Sequence, residues 1–169
     1  ALQAAAGSGF GADISIDKRV PWGAGLGGGS SDAASTLLAL NRLWGLDWPL
    51  AKLMPIGLAL GADLPFFLGG HNAFVEGIGE RLTPIELPPM AFAVVKPAAA
   101  IDTAAIFRSP HLARNSDAVI LAGSLAGGSG DRDFAAQVAS GFGRNHLQPA
   151  AEAECADVAP VARWLQGHY

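Results

Sequence analysis

The residues best suited to chemistry in this 169-residue chain form one glycine-dense stretch from Gly23 to Asp32. Five of the seven residues from Gly23 to Gly29 are glycine, which is more than a tight turn requires. Glycines let the backbone curl so that successive N–H groups point inward, and the start of a helix adds partial positive charge. Ser30, Ser31 and Asp32 are suitable caps for such a helix. The stretch therefore predicts a phosphate-binding loop, with a plain tight turn as the alternative.

A strand and a helix must hold this loop in place. The segment Asp13–Asp17 alternates polar and apolar residues, which predicts a strand with Ile14 and Ile16 on one face. The run from Ala33 to Trp44 has apolar residues at helical spacing and is followed by Gly45, a suitable C-terminal cap. A strand, a glycine loop and a helix in this order place backbone N–H groups where an anion can bind.

The rest of the chain predicts both helices and strands, so the predicted fold class is α+β. Trp48-Pro49 opens a second helix that runs to about Leu60 and is followed by a turn. Further strands are predicted at Asn72–Glu76, Arg81–Ile85 and Phe92–Lys96, further helices at Ile101–Arg108 and near residues 131–140 and 157–168, and a flexible loop at 122–130. The proline-rich Leu87-Pro88-Pro89 marks the predicted boundary between two parts of the chain.

Composition excludes several classes of protein. Half of the residues are hydrophobic and 15% are charged, which excludes a disordered tail. The formal charge of −4 disfavours nucleic acid or an anionic membrane as a partner. One cysteine and four scattered histidines predict neither a disulfide framework nor a multi-cysteine metal site. No apolar run is long enough to span a membrane and the first 12 residues carry no positive charge, so we expect a cytoplasmic location.

Three known phosphate-binding motifs with glycine-rich loops match this segment only in part. The Walker pattern fails because Gly29 stands where a lysine is required, and the motifs that accompany a protein-kinase glycine loop do not occur. The spacing Gly23-x-Gly25-x-x-Gly28 matches a dinucleotide fingerprint, and Asp47 lies where the ribose-binding acid would. A second predicted helix nevertheless follows where that fold needs a strand, so a dinucleotide site remains only an alternative.

The segment Pro21–Ala34 resembles the signature of the GHMP small-molecule kinases. Leu60–Phe67, Gly70–Glu80 and Ile101–Phe107 are similar to later motifs of one branch of that family, in the same order and spacing. The resemblance is clear from Asp13 to Phe107. It implies transfer of the γ-phosphoryl of ATP, with Mg²⁺, to a hydroxyl of a cytidine diphosphate-linked methylerythritol in non-mevalonate isoprenoid synthesis.

The resemblance also implies a fold and a domain organisation. Residues 1–87 would form the C-terminal part of the family's N-terminal domain, which is ribosomal-protein-S5-like, and residues 88–169 most of its C-terminal α/β domain. The chain is then expected to be an internal fragment, with the family's catalytic lysine and third glycine-rich motif beyond its ends. We expect the fragment alone to be inactive.

Site residues follow from the resemblance position by position. Asp63 matches the catalytic acid that orients or deprotonates the acceptor hydroxyl; a helix cap is the alternative, although its apolar neighbours suggest a dry setting. Thr103 matches a substrate neighbour, and Phe107 the aromatic that stacks on cytosine, with a core role as its alternative. Ser30 is the candidate Mg²⁺ ligand. The ATP-binding residues by similarity are Lys18, Pro21, Gly23, Ala24, Gly25, Leu26, Gly27, Gly28, Gly29, Ser30 and Ser31.

Two positions near the loop leave alternatives open. Lys18 matches a basic position near the nucleotide, or it ends the strand in solvent. Asp32 would repel a phosphate, so it is expected to cap the helix or to face Mg²⁺ through water. For the whole chain, the alternatives are another GHMP kinase acting on a mevalonate- or homoserine-type alcohol, and a non-catalytic nucleotide-binding fragment.

Overall fold

The computed structural model describes residues 1–21, 23–87, 89, 91–114, 143 and 145–168. The chain divides into two compact units, Ala1–Glu86 and Leu87–Tyr169. The predicted loop at 122–130 and the predicted helix at 131–140 lie outside the described residues. Assignment of residues 1–87 and 88–169 to the two domains of a GHMP kinase remains a prediction.

Helices and a hairpin make up the described structure, in agreement with the predicted α+β class. The first unit contains α1 (Leu2–Ala6), α2 (Gly28–Leu43), α3 (Leu50–Leu60), α4 (Leu64–Gly69), β1 (Ala73–Glu76) and β2 (Arg81–Pro84). The second unit contains α5 (Thr103–Arg108), α6 (Gln148–Glu154) and α7 (Val158–Gln166). None of the helices in the described part of the chain is long and apolar enough to cross a membrane.

The core of the first unit lies where α4 packs against both α2 and α3. Leu37 of α2, Leu53 of α3 and Leu68 of α4 are buried there. Gly57 permits the close crossing of α3 and α4, because a Cβ atom there would lie 2.6 Å from the Leu68 Cδ1 atom. Burial of these side chains is the main source of stability for this unit.

The connection between α2 and α3 is fixed by a buried amide. Asn41 accepts a hydrogen bond from the Trp48 backbone N–H at 3.0 Å and donates one to the Trp48 carbonyl at 3.1 Å. A buried polar group paired in both directions adds stability without leaving an unsatisfied donor. This contact orients α3 so that α4 can pack across both helices.

Strands β1 and β2 form an antiparallel hairpin that follows α4. Ala73 pairs with Pro84 and Glu76 with Arg81, which leaves Gly77–Glu80 as the turn. Gly77 and Gly79 both adopt positive φ, at 71° and 125°. Only glycine adopts the second of these angles readily, so the turn depends on its glycines.

Two predicted strands are wrong. Asp13–Asp17 and Phe92–Lys96 are described but are not strands, and Ile14, Ile16 and Phe92 are more than half exposed. Alternating side chains form a strand only where a partner supplies backbone hydrogen bonds. Within the described residues, β1 and β2 are the one such pair.

Other elements confirm or correct the sequence predictions. The predictions of α3, β1, β2, α5 and α7 are confirmed to within a few residues, whereas α6 was not predicted. Helix α2 begins at Gly28, five residues before the predicted start, with Gly27 as its N-cap at φ 66°. The capping role expected for Ser30, Ser31 and Asp32 is therefore wrong, because glycine permits the left-handed entry that starts the helix earlier.

Candidate functional site

The glycine loop alternates between left-handed and ordinary backbone conformations. Gly23, Gly25 and Gly27 have φ of 66°, 70° and 66°, whereas Ala24 and Leu26 between them have no positive φ. Alternation of this kind turns successive N–H groups toward one side and creates a concave anion-binding surface. Three of the loop glycines are therefore used for left-handed conformations, and phosphate binding by the loop stays a prediction.

The first turn of α2 adds unpaired donors to this surface. The Ser31 amide donates to the Gly27 carbonyl at 2.9 Å, which is the first hydrogen bond of the helix. The amides of Gly28, Gly29 and Ser30 precede it and have no acceptor within the helix. The Ser30 and Ser31 hydroxyls make no hydrogen bond to any other described residue, so both are available to an anion or a cation.

Lys18 and Asp32 form an ion pair beside this turn. The Lys18 Nζ atom also lies 3.9 Å from the position that a Cβ atom would take on Gly28. Asp32 is the fifth residue of α2 and therefore neither caps the helix nor stands free. Both side chains remain more than a third exposed, so solvent screens the pair and its contribution to stability is small.

A cavity of about 760 Å³ adjoins the ion pair on the same side of α2. Lys18, Gly29 and Asp32 line its polar end. Apolar side chains line the remainder, among them Phe10, Ile14, Ile16, Leu37, Leu40 and Trp44. The segment that carries Phe10 is tied to α2 by a 3.3 Å hydrogen bond from the Trp44 indole N–H to the Gly11 carbonyl.

Phe67 connects the glycine loop to the helix that follows Asp63. A Cβ atom on Gly27 would lie 2.6 Å from the Phe67 Cζ atom and 2.8 Å from its Cε2 atom. The Phe67 amide in turn donates to the Asp63 carbonyl at 3.4 Å. Two motifs that are distant in the sequence therefore meet through one aromatic ring.

Asp63 lies at the N-terminus of α4 with its side chain exposed. Asp63 occupies the N-cap position of this helix, as the helix-cap alternative predicts, but its carboxylate makes no capping hydrogen bond. The dry setting expected from its apolar neighbours is wrong. Leu64 and Pro65 are buried, but Asp63 itself is exposed to solvent. Among the described residues, no ion pair or side-chain hydrogen bond holds this carboxylate.

The turn of the hairpin contains an acid that stabilises its backbone. Glu80 Oε2 accepts a hydrogen bond from the Ile78 amide at 2.7 Å. Backbone hydrogen bonds, first from Glu80's own amide and then from that of Ile78, hold the pKa of the Glu80 carboxyl below its ordinary value. The motif Gly77-x-Gly79-Glu80 is visible in the sequence, but its spacing alone does not reveal this bond.

Thr103 and Phe107 lie on α5 in the second unit. Asp102 caps this helix by accepting the Ala104 amide at 3.0 Å. The four-residue spacing puts Thr103 and Phe107 on one face of the helix. Phe107 is 55% exposed while Ile106 is buried, so the alternative core role for Phe107 is wrong.

The dinucleotide alternative lacks its structural context. Asp47 follows α2 at φ 44° and its carboxylate pairs with the Arg42 guanidinium at 3.2 Å. The next element is α3 rather than the strand that a βαβ unit requires. Asp47 is therefore not placed to bind a ribose in the manner of that fold.

Protein side chains alone do not form a metal site in the described ranges. No group of three or more His, Cys, Asp or Glu residues there could hold a metal ion. Magnesium needs few protein ligands when phosphates and water supply the others. The unpaired Ser30 hydroxyl at the first turn of α2 is compatible with that kind of site.

Sequence comparison shows which known proteins this chain resembles. The family profile described as GHMP kinases N terminal domain matches residues 1–71. The chain is 59% identical over 160 residues to a protein named 4-diphosphocytidyl-2-C-methyl-D-erythritol kinase from Methylibium petroleiphilum, covering 95% of this chain and 52% of the relative. A protein of the same name from Ralstonia pickettii is 53% identical, with 98% of this chain and 54% of the relative covered.

Structural comparison is consistent with these relatives. A crystal structure of 4-(cytidine 5'-diphospho)-2C-methyl-D-erythritol kinase matches with a TM-score of 0.57 and 33% sequence identity, covering 86% of this chain and 50% of the other. The chain thus spans about half the length of the curated relatives it matches. Residues 1–71 match the GHMP kinase N-terminal domain, and most of the chain is similar to about half of each of these proteins named as kinases.

Proposed function

We propose that the gene product containing this chain transfers the γ-phosphoryl of ATP to a hydroxyl of 4-diphosphocytidyl-2-C-methyl-D-erythritol. The observation that carries the proposal is the glycine loop, whose alternating conformations lead into unpaired amides and which meets the Asp63 helix through Phe67. The names of the relatives support the choice of acceptor. The cytoplasmic location expected from the sequence is part of the same proposal.

The phosphates of ATP are assigned to the loop and the first turn of α2. The amides from Gly25 to Ser30 and the Ser31 hydroxyl would donate to phosphate oxygens. The partial positive charge of the helix would stabilise the phosphates further. Lys18, which lines the cavity, would place its ammonium group beside this turn while remaining paired with Asp32. Phosphoryl transfer depends mainly on such positioning and charge stabilisation.

The Ser30 hydroxyl is the magnesium ligand that we assign. It lies at the first turn of α2 and no other described residue engages it. When bound, magnesium would neutralise charge on the transferring phosphoryl group. Asp32 is assigned to Lys18 rather than to the metal, because the two side chains already form an ion pair.

Asp63 is assigned to the acceptor hydroxyl. Its exposed carboxylate would accept the hydrogen bond of that hydroxyl and orient the oxygen toward the γ-phosphorus. The new oxygen–phosphorus bond forms as the bond to the β,γ-bridging oxygen of ATP breaks, and the hydroxyl proton passes to Asp63. ADP and the phosphorylated acceptor are the products.

The cytidine end of the acceptor is assigned to α5. The exposed ring of Phe107 would stack on the base, and Thr103 would supply a polar contact on the same helix face. Stacking of a base on an aromatic side chain contributes roughly 1–3 kcal/mol in single-stranded nucleic acid complexes. Residues 88–169 would then belong to the C-terminal domain of the kinase.

The test is ATP-dependent phosphorylation by the complete gene product, followed by ³¹P NMR. Asp63→Ala should lower kcat by about 10²–10⁴-fold, the usual contribution of a positioned proton acceptor, and leave ATP affinity within about twofold. Asp47→Ala is the matched control because Asp47 is another exposed aspartate that follows a helix of the same unit. Unchanged turnover in Asp63→Ala would refute the role of Asp63.

The same assay separates the alternatives. If the protein phosphorylates another alcohol and cytidine compounds fail to compete, it is a different GHMP kinase. If ATP binds but no acceptor is phosphorylated, a non-catalytic nucleotide-binding role replaces the proposal.

A further inference from the structure

The turn of the β1–β2 hairpin lies directly against the peptide that precedes Asp63. Gly79 is buried at φ 125°, although its neighbours Ile78 and Glu80 are exposed. A Cβ atom on Gly79 would overlap the Ala62 carbonyl oxygen and lie 2.9 Å from the Ala62 carbonyl carbon. This is a contact of backbone on backbone, which a side chain at position 79 would prevent.

The hairpin turn is well suited to support another segment. The Gly79 amide donates to the Glu76 carbonyl at 3.3 Å, and Glu80 accepts the Ile78 amide at 2.7 Å. Arg81 and Glu76 pair across the end of the hairpin at 3.6 Å. Because these bonds lie within the turn itself, its shape does not depend on the segment that it contacts.

Asp63, by contrast, has no side-chain contact of its own to fix it. No described residue donates a hydrogen bond to its carboxylate, so the backbone alone sets the position of this group. That backbone is held by the Leu64 amide, which donates to the Gly61 carbonyl at 3.1 Å, and by the contact between Ala62 and Gly79. A shift of the Ala62 peptide would therefore move the carboxylate.

We infer that Gly79 is a positioning residue that holds the Asp63 carboxylate in place for reaction by supporting the Ala62 peptide. The inference rests on the proposed function, since it concerns the residue assigned to the acceptor hydroxyl. The proposed function assigns Gly79 no contact with ATP or the acceptor, and its contact is with the Ala62 carbonyl group. Its effect is therefore expected on turnover and not on the glycine loop.

The test is Gly79→Ala in the complete gene product. The added Cβ atom must displace the turn at Ala62, and a displacement of about 1 Å near a reacting group costs about a hundredfold in rate. We expect kcat to fall about a hundredfold while the KM for ATP stays within about twofold. A lower folded fraction alone would also reduce the apparent kcat at unchanged KM, so kcat is expressed per folded molecule, counted from the stoichiometry of ATP binding.

Gly45→Ala is the matched control. Gly45 also has positive φ, at 61°, but a Cβ atom there would meet nothing within 4 Å. The alanine variant would therefore carry backbone strain without a clash. Gly45 follows the C-terminal end of α2, whereas the glycine loop precedes its N-terminal end. Its kcat should stay within about twofold of the unmodified protein, because strain remote from the reacting groups leaves their geometry unchanged.

Glu80→Ala is a second test of the positioning role, for use if Gly79→Ala does not fold. Glu80→Ala removes the acceptor of the Ile78 amide and loosens the turn without adding an atom against Ala62. It should lower kcat by less than Gly79→Ala and leave the KM for ATP unchanged. Unchanged kcat in a folded Gly79→Ala, or in Glu80→Ala, overturns the inference, whereas inactivity of the unmodified protein overturns the proposed function instead.

Discussion

Single charged residues determine much of the chemistry near the glycine loop. Asp32 pairs with Lys18, which holds the ammonium group beside the first turn of α2. Without that pair, a carboxylate at this position would oppose phosphate binding through like-charge repulsion. The pair therefore accounts for an acid next to a surface built to receive anions.

Glu80 makes the stability of the first unit depend on pH. Its carboxyl pKa is lowered in the folded chain by backbone hydrogen bonds, so the stabilisation is present above the ordinary glutamate pKa of about 4.3. As pH falls through the lower folded pKa, the carboxyl takes up a proton and the stabilisation is lost. Glu80→Gln should therefore be less stable than the unmodified chain at neutral pH, with the difference disappearing in acid.

Thermal unfolding of both chains from pH 7 to pH 2 measures this effect. Glu86→Gln is the control, because Glu86 is exposed and makes no ion pair or side-chain hydrogen bond with any described residue. A difference in Tm between Glu80→Gln and the unmodified chain that is the same at every pH would contradict the prediction.

At the scale of elements, close approaches at glycines join the parts of the first unit. Gly27 admits the Phe67 ring, Gly57 admits Leu68, and Gly79 admits the Ala62 peptide. In each case a side chain would fill the space that the neighbouring element occupies. Packing between elements therefore explains these three glycines, of which only Gly27 also belongs to the glycine loop.

Gly27→Ala tests the contact between the loop and α4. Gly25→Ala is its natural comparison, because Gly25 has a similar φ of 70° but open space around it. The strain of the left-handed conformation should cost about 1–2 kcal/mol at either position. Gly27→Ala should cost a further 1–3 kcal/mol, roughly the usual cost of overpacking, because the Phe67 ring must move.

Urea unfolding of the four chains in a double-mutant cycle measures the coupling. In a Phe67→Leu background, the additional cost of Gly27→Ala should largely disappear, since the ring atoms nearest to Gly27 are removed. Equal costs for Gly25→Ala and Gly27→Ala in the unmodified background would show that the loop and α4 do not pack as described.

At the scale of the whole molecule, the chain contains two compact units and exposes a large amount of apolar surface. Phe10, Ile14 and Ile16 are each 55% exposed and line the cavity along α2. Apolar patches of this kind on a folded chain attract apolar ligands and partners. The relatives are about twice as long as this chain. The apolar surface described here is therefore that of the 169 residues alone.

A dye that fluoresces on apolar surface, such as ANS, should therefore bind to the 169-residue chain. The double variant Ile14→Asp and Ile16→Asp should lose most of the increase in dye fluorescence, because both side chains line the cavity. Ile78→Asp is the control, as Ile78 is 72% exposed on the hairpin and away from the cavity. Equal losses in the control and the double variant would contradict the assignment of dye binding to this cavity.

Local patterns in the sequence predicted those features that depend on short stretches of chain. The glycine loop, α3, the hairpin strands and α5 follow from conformational freedom, helical spacing and alternation within a few residues. The motifs also indicated a similarity to the GHMP kinases, and the family profile of their N-terminal domain matches residues 1–71. These features need no knowledge of what lies beside them in space.

Contacts between distant segments were decided only by the tertiary structure. The sequence could not show that Asp32 pairs with Lys18, that Phe67 lies on Gly27 or that Gly79 supports the peptide before Asp63. It also predicted a strand at Asp13–Asp17 and suggested a dry setting for Asp63, whereas the first segment is not a strand and Asp63 is exposed. A strand requires a partner and burial requires a covering element, and neither is encoded in the segment itself.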